Sequence, residues 1–469
     1  MQRVVIMGGG PAGLAAGYTL AKKGYHVTVI EKEKQVGGIS KTIEEKGYRF
    51  DLGGHRFFTK IEDVEQLWNE VLEEDFLLRP RLSRIFYRGK FFDYPIRPFN
   101  ALAGLGLYEA VLIMGSYLKV KVKPIKPEES FEDWVVNRFG RRLFEHFFKS
   151  YTEKVWGIST TELKAEWAAQ RIQGLSLVSA VLNALLKQVR KNSIKTLIEE
   201  FHYPRLGPGQ MYEAMGRAIE NSGGKVLLNT RVTGIKMEQW KVSSVRVEDN
   251  TGKETILEAD HFISSLPLRD LLNLLTPVES DEVVQAGNLL KYRDFLSVNL
   301  ALDKEFLFPD NWIYVHSPEV KLGRIQNFKQ WSPAMVPEDG CSSLGLEYFC
   351  NEGDELWSSK DEDLIKMAVE EIGRIGLIDT EIVKWGRVIR VPKAYPVYDD
   401  DYQKAMPIIM PFLNSLENLQ TIGRNGLHRY NNMDHSILTG LLAAKNIEGA
   451  NFDLWQVNTE EEYHEEVKS

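Results

Sequence analysis

The chain has 469 residues, 43% hydrophobic and 26% charged. That excludes collagen-like or wholly disordered character and suits two or three packed units or one large interrupted one. With 58 Lys and Arg against 66 Asp and Glu, the net charge is −8, so the chain as a whole has no attraction for nucleic acid.

In chain order, residues 3–7 (RVVIM) predict a short buried parallel strand. After a glycine-rich turn, residues 12–23 have helical spacing that ends at Gly24, and 25–31 (YHVTVIE) read as a second strand. Residues 61–200 read as mostly helical, with helices over 63–72, 100–118, 130–139, 143–150 and 175–187. An α/β pattern returns with a helix over 211–222 and strands over 225–228, 232–237, 242–248 and 262–265. Alternating runs over 291–350, such as FLSVNLAL at 295–302, predict an antiparallel sheet. A helix over 361–373, a strand over 382–391, a short strand over 419–423 and a helix over 433–447 complete the pattern, and the Glu-rich 460–466 reads as a solvated tail.

Cys341 and Cys350 form no disulfide framework, and no Cys/His cluster points to a metal, so both read as buried small hydrophobes in a reducing compartment. Residues 101–118 are largely apolar and are followed by Lys119, Lys121, Lys123 and Lys126. Glu109 in their middle is costly in a bilayer, so a helix buried in the protein is expected; a peripheral membrane contact through 101–126 is the alternative. No basic leader with an apolar core precedes the first strand, which suits a cytoplasmic location, peripheral at the inner membrane face in that alternative.

The strongest motif is Gly8-Gly9-Gly10-Pro11-Ala12-Gly13, with Gly17 four residues on, placed between strand and helix. Gly8 permits the tight turn, Gly10 leaves room for a pyrophosphate against the backbone, and Gly13 and Gly17 let helix and sheet approach. Glu31 ends the second strand, where a carboxylate accepts ribose hydroxyls and repels a 2′-phosphate. This combination predicts a dinucleotide site.

Gly37-Gly38 follows Glu31 closely, with Lys41 after it. The whole pattern resembles the FAD superfamily of amine oxidases, protoporphyrinogen oxidase, phytoene desaturases and UDP-galactopyranose mutases, in which the second glycine pair passes the FAD pyrophosphate. The resemblance implies an α/β fold: an interrupted Rossmann-type FAD-binding domain (1–70, 201–267 and 416–450), a helical insert (71–200), a mixed antiparallel-sheet substrate domain (268–415) and a C-terminal tail (451–469). Residues 203–210 (YPRLGPGQ) resemble the glycine loop that opens a helix beside the flavin.

Five further stretches resemble UDP-galactopyranose mutase: Gly53–Thr59 (GGHRFFT), Tyr151–Gly157 (YTEKVWG), Tyr292-Arg293, Ala394–Val397 with Asp399, and Gly423–Asp434 (GRNGLHRYNNMD). Three positions depart from the mutase pattern: Val155 for glutamine, His428 for tyrosine and Asn432 for an acid. The resemblance implies FAD contacts at Gly8, Gly10, Pro11, Ala12, Gly13, Glu31, Lys32, Gly38, Ile39, Gly54, His55, Val232, Gly423, Arg424, Asn432 and Met433. It implies nucleotide-sugar contacts at Tyr151, Trp156, Arg293, Tyr395, Tyr430 and Asn432, with His55, Arg293, Tyr395 and Tyr430 catalytic and no metal. The implied reaction is a pyranose–furanose isomerisation in which N5 of reduced FAD attacks the anomeric carbon.

Without the resemblance each residue has a plainer reading. His55 suits a hydrogen-bonded structural histidine and Arg293 a surface ion pair; Tyr151, Tyr395, Tyr430 and Trp156 suit core aromatics. At the level of the whole chain, an oxidase or desaturase of an apolar substrate, or a flavin-holding assembly protein without turnover, are the rival readings.

Overall fold

The computed structural model describes residues 2–94, 96, 98–165, 199–277, 281–338 and 340–458. The predicted helix over 175–187 and the tail at 460–466 lie outside them.

The fold is mixed α/β, built around two large sheets. The first is parallel, with strands in the order Leu419–Thr421, His261–Ser264, Arg3–Met7, His26–Ile30 and Lys225–Leu227. Arg3–Met7 sits in its centre because Val4, Val5, Ile6 and Met7 are all buried, as a strand covered on both faces requires. Helix α1 (Pro11–Lys22) follows it and packs against the helix Met433–Ile447, whose boundaries are those of the predicted helix. Gly440 makes that approach possible, since a Cβ there would lie 2.2 Å from the Ala12 carbonyl oxygen.

The second sheet has seven strands, in the order Val383–Pro396, Tyr292–Leu302, Ser342–Cys350, Arg324–Asn327, Trp312–Val315, Ser83–Tyr87 and Lys90–Asp93. Its last two strands come from the stretch that reads as mostly helical. Ser83–Tyr87 pairs in parallel with Trp312–Val315, and Phe76–Pro80 pairs antiparallel with Glu200–Pro204. Such distant partners leave no local turn signal, so these strands are a correction to the helical reading of 61–200. A hairpin of Thr42–Glu45 and Tyr48–Asp51 also escapes the sequence reading.

The single helix expected over 100–118 is two, α2 (Pro98–Leu105) and α3 (Leu107–Val122), broken at Gly106 where φ is +95°. Glu109 does not face a bilayer interior. Arg142 donates to its two carboxylate oxygens at 2.9 and 2.8 Å, and His146 Nε2 lies 3.2 Å away. No helix among the described residues is long and apolar enough to cross a membrane. A helix over Asp400–Ser415, which contains Pro407 and Pro411, is a further element that the sequence reading does not include. Cys341 and Cys350 are buried free thiols, as expected.

Candidate functional site

The glycine turn forms a cradle between the first strand and α1. Gly8 has φ +109°, and a Cβ there would meet Ser265 Oγ at 2.2 Å. A Cβ on Gly13 would lie 2.0 Å from the Gly8 carbonyl oxygen, so Gly13 is a packing requirement. Gly10 is different. A Cβ there would meet only the Cα of Gly38, at 3.8 Å, so the gap between the two glycines is open. The first turn of α1 has no side-chain cap and begins with Pro11, which leaves the amides of Ala12 and Gly13 available to an anion.

Glu31 is buried, and burial pushes its carboxyl up. Its Oε2 accepts from the Gly9 amide at 2.9 Å and its Oε1 from the Glu33 amide at 3.0 Å. The Gly37 amide donates to the Gly9 carbonyl at 2.8 Å, tying the second glycine pair to the first. A narrow gap flanked by backbone, unspent helix amides and a carboxylate one strand away fit the pyrophosphate and ribose of FAD. Lys32 is exposed, Ile39 is partly buried against the aromatic core, and Val232 lies on the strand Thr230–Glu238 beyond its pairing with Leu275–Thr276.

His55 lies on a loop pinned at several points. Phe57 exchanges two backbone hydrogen bonds with His202, both 3.1 Å, and Thr59 Oγ1 donates to Asp434 at 3.2 Å. A Cβ on Gly54 would come within 3.1 Å of Gln326 Nε2, so the loop is seated on the seven-stranded sheet. His55 Nε2 lies 3.0 Å from the Leu52 carbonyl oxygen. Desolvation lowers the imidazole to about 4, and the Arg424 and Arg324 guanidinium groups add to that, so it is neutral at pH 7. Nearby, Asp51 accepts from Tyr203 and, at 2.8 Å, from Thr42, and burial pushes its carboxyl up to about 7. Thr42 also accepts from the Gly209 amide at 3.0 Å, which pins the 203–210 loop.

On the far side of the loop an aromatic and cationic cluster assembles. Tyr395 and Tyr430 stack with centroids 5.6 Å apart and planes 15° from parallel, and Trp156 meets Tyr395 edge-on at 6.4 Å. Arg424 lies over Tyr430, 4.7 Å from its centroid, and donates to the carbonyls of Asn431 at 2.8 Å and Ala394 at 2.9 Å. Arg324 Nη2 donates to the Tyr395 hydroxyl at 3.1 Å, while its Nε lies 3.0 Å from the buried Glu347 carboxylate. Tyr151 meets Tyr314 edge-on at 5.6 Å and stacks on His316 at 4.6 Å. The structure thus brings together Arg324, Arg424, Tyr395, Tyr430 and Trp156, while His55 sits on the neighbouring loop, where a Cβ on Gly53 would lie 3.8 Å from its Nε2 and 3.9 Å from Glu347 Oε1.

Sequence reasoning missed Arg324, Glu347 and Lys154. Arg324 and Glu347 are paired directly across adjacent strands, a register invisible in the chain order. Lys154 lies within the YTEKVWG stretch itself. It donates to the carbonyls of Val315, Ser317 and Leu322 at 3.2, 2.7 and 3.1 Å, and burial lowers it to about 8. That anchor fixes the helix Ser150–Trp156, which carries Tyr151 and Trp156.

Arg293, Asn432 and Met433, expected at the site, and His428, a departure within the last motif, lie outside this cluster. The Arg293 guanidinium is buried beneath the end of that helix and donates to the carbonyls of Val155 at 3.1 Å and Lys154 at 3.3 Å. It borders a cavity of about 910 Å³ whose walls include Trp156, Tyr292 and Lys393 but neither His55 nor Tyr395. His428 is fully buried between Tyr292 and Tyr402, with Nε2 3.3 Å from the Val397 carbonyl oxygen. Asn432 is exposed at the start of the last long helix, and Met433 is buried in the core beneath α1.

The family model described as flavin containing amine oxidoreductase matches residues 11–447. The chain is 21% identical to protoporphyrinogen oxidase 2 of Arabidopsis thaliana, over 94% of this chain and 93% of that protein. It is 22% identical to a 4,4′-diapophytoene desaturase of Methylomonas sp over 66% of this chain, and spans 63% of that relative's length. A Klebsiella pneumoniae protein named "Probable UDP-galactopyranose mutase" is 27% identical over 35% of this chain and 43% of its own. Among solved structures, reduced UDP-galactopyranose mutase shares the fold with a TM-score of 0.84 at 21% identity, covering 98% of both chains. Putrescine oxidase bound to putrescine superposes with a TM-score of 0.62 at 16% identity, covering 96% of this chain and 99% of that one. With a family match over most of its length and a cradle shaped for the dinucleotide, this chain belongs to the flavin containing amine oxidoreductases and its cofactor is FAD.

Proposed function

We propose that this flavoenzyme acts on a nucleotide-linked sugar and interconverts its pyranose and furanose rings, the reaction of UDP-galactopyranose mutase. One observation carries the reading: Arg324 donates to the Tyr395 hydroxyl at 3.1 Å, Arg424 lies 4.7 Å from the centroid of the Tyr430 ring, and the two phenol rings stack on each other. An apolar substrate has no use for that arrangement, whereas a departing diphosphate needs fixed cationic and phenolic donors.

When bound, FAD supplies a ring nitrogen that is nucleophilic in the reduced form and a hydride acceptor in the oxidised form. The chain's own residues orient and stabilise. Tyr395 accepts from Arg324, which frees its own hydroxyl hydrogen to donate to a phosphate oxygen. Arg324 is held in place by Glu347, so its remaining N–H groups are pre-aimed rather than mobile. Arg424, stapled to two carbonyls, lends positive charge through the face of Tyr430. His55 stays neutral and adds no competing charge at the flavin edge. Trp156 offers a flat surface for a base, next to Tyr395.

The test supplies UDP-galactopyranose to enzyme with chemically reduced FAD. Furanose product with no net oxidation, and no turnover by the oxidised enzyme, is the expected result. Oxygen consumption by oxidised enzyme on an apolar substrate, with no UDP-sugar turnover, would establish the oxidase or desaturase reading instead. That second reading draws on the exposed apolar face of α3, from Leu107 to Val122.

A further inference from the structure

Helix α3 exposes apolar side chains in a pattern that the described residues do not use. Leu107 is 84% exposed, Tyr108 75%, Val111 64%, Leu118 58% and Val122 88%. At about 100° per residue, these five and Gly115 fall within an arc of about 100°. They make one continuous stripe along a helix about 24 Å long. Ile113, Tyr117 and Val120 are buried on the opposite side, and Glu109 is turned off the stripe toward Arg142.

The charges are placed to match. Lys119 and Lys121 flank the two edges of the stripe, and Lys123 and Lys126 follow at its C-terminal end, all four exposed. Residues 110–127 contain no Asp or Glu, although the chain as a whole carries −8. Lysines beside an apolar stripe can extend their stems along it while their ammonium groups meet phosphates.

We propose that this face of α3 seats the protein on the surface of an anionic lipid bilayer, with the apolar stripe in the headgroup–acyl boundary and the four lysines on lipid phosphates. The helix lies in the membrane plane: its length falls short of the roughly 30 Å hydrocarbon core, and no described helix is fit to span it. A second copy of this chain is a poorer occupant. It would bring lysines against a helix whose own acid, Glu109, is already paired with Arg142.

The experiment uses the full-length, FAD-loaded protein and vesicles of phosphatidylcholine, either pure or with roughly a quarter phosphatidylglycerol. Sedimentation with the anionic vesicles is expected, with binding about tenfold weaker on neutral vesicles or at about 0.5 M salt. Two variants separate the contributions: Leu118→Ser with Val122→Ser removes part of the stripe, and Lys119→Gln, Lys121→Gln and Lys123→Gln together remove charge. Each lowers partition about tenfold while flavin absorbance stays as in the wild type. Because all five side chains are exposed, a loss of folding in one variant leaves the other to decide. Wild type that fails to sediment with anionic vesicles, or variants that bind as it does, would overturn the proposal. So would a dimer, seen by light scattering, that the serine variant dissolves while vesicle binding is absent.

Discussion

Arg324 links the Tyr395 hydroxyl, 3.1 Å away, to the buried carboxylate of Glu347, 3.0 Å away, although the three residues lie on three different strands. The arrangement makes the guanidinium both a structural ion and a donor at the site. Arg324→Lys keeps the charge beside Glu347 but loses the planar fork. We expect UDP affinity, followed by flavin fluorescence, to weaken by about tenfold or more, the worth of one charge-assisted hydrogen bond. Arg324→Met leaves Glu347 buried without its cation and costs about 3–5 kcal/mol of stability. An unaltered UDP affinity in the lysine variant would remove Arg324 from the substrate site.

Gly10 and Gly13 answer different demands, and alanine separates them. In Gly13→Ala the new methyl meets the Gly8 carbonyl at 2.0 Å, so the helix must move off the sheet and the protein should melt early. Gly10→Ala meets only ordinary contact with Gly38, so the fold should survive. That methyl occupies the gap meant for the pyrophosphate, and the purified variant should carry little or no flavin. Absorbance near the flavin maximum and a thermal melt, read together, check both outcomes.

Acid should destabilise the protein through its buried histidines. Burial lowers His55 and His428 to about 4 and His316 to about 3, against an ordinary 6.5. Below about pH 6.5 the unfolded chain binds protons that the folded chain refuses, so stability falls as pH drops toward 4. Asp51 has the opposite sign. Its carboxyl, raised to about 7 by burial, holds a proton that the unfolded chain releases above 3.8, so its contribution fades as pH rises toward 7. Melting scans across pH 4–8 should show His428→Phe flattening the acid limb and Asp51→Asn flattening the fall toward neutrality. An unchanged acid slope in His428→Phe would contradict the assignment.

Arg293 holds the end of the helix that carries Tyr151 and Trp156, through the carbonyls of Val155 and Lys154. Arg293→Ala should therefore lower stability by about 2 kcal/mol, since two part-buried carbonyls lose their donor. Its effect on UDP affinity should be smaller than that of Arg324→Lys. A stable Arg293→Ala variant that has lost UDP binding would place Arg293 in direct contact with the diphosphate.

The local parts of the site were legible. Gly8 through Gly13, Glu31 and Gly38 lie in and just after one βαβ unit, and the longest of their mutual contacts, from Gly10 to Gly38, spans 28 positions. Their spacing is itself the constraint, so residue order reveals it. The aromatic cluster was legible only as residue types: Tyr395 and Tyr430 could be named, but not their stack or the cation above it. His428 shows the limit most clearly. In its motif it stands where the mutase pattern has tyrosine, yet the chain turns at φ +43° there and sends the ring into the core beside Tyr292.

By itself, the sequence determined the FAD cradle and the α/β class, because each depends on neighbours a turn or one βαβ unit away, while the candidate aromatics were named through the resemblance of their motifs. Tertiary structure alone decided that Arg324 reaches Tyr395, that Arg293 anchors a helix end, and that the apolar side chains of α3 point outward while Glu109 points in. Those outcomes follow from strand register and helix rotation, which are set by partners 33 to 139 positions apart that chain order does not identify.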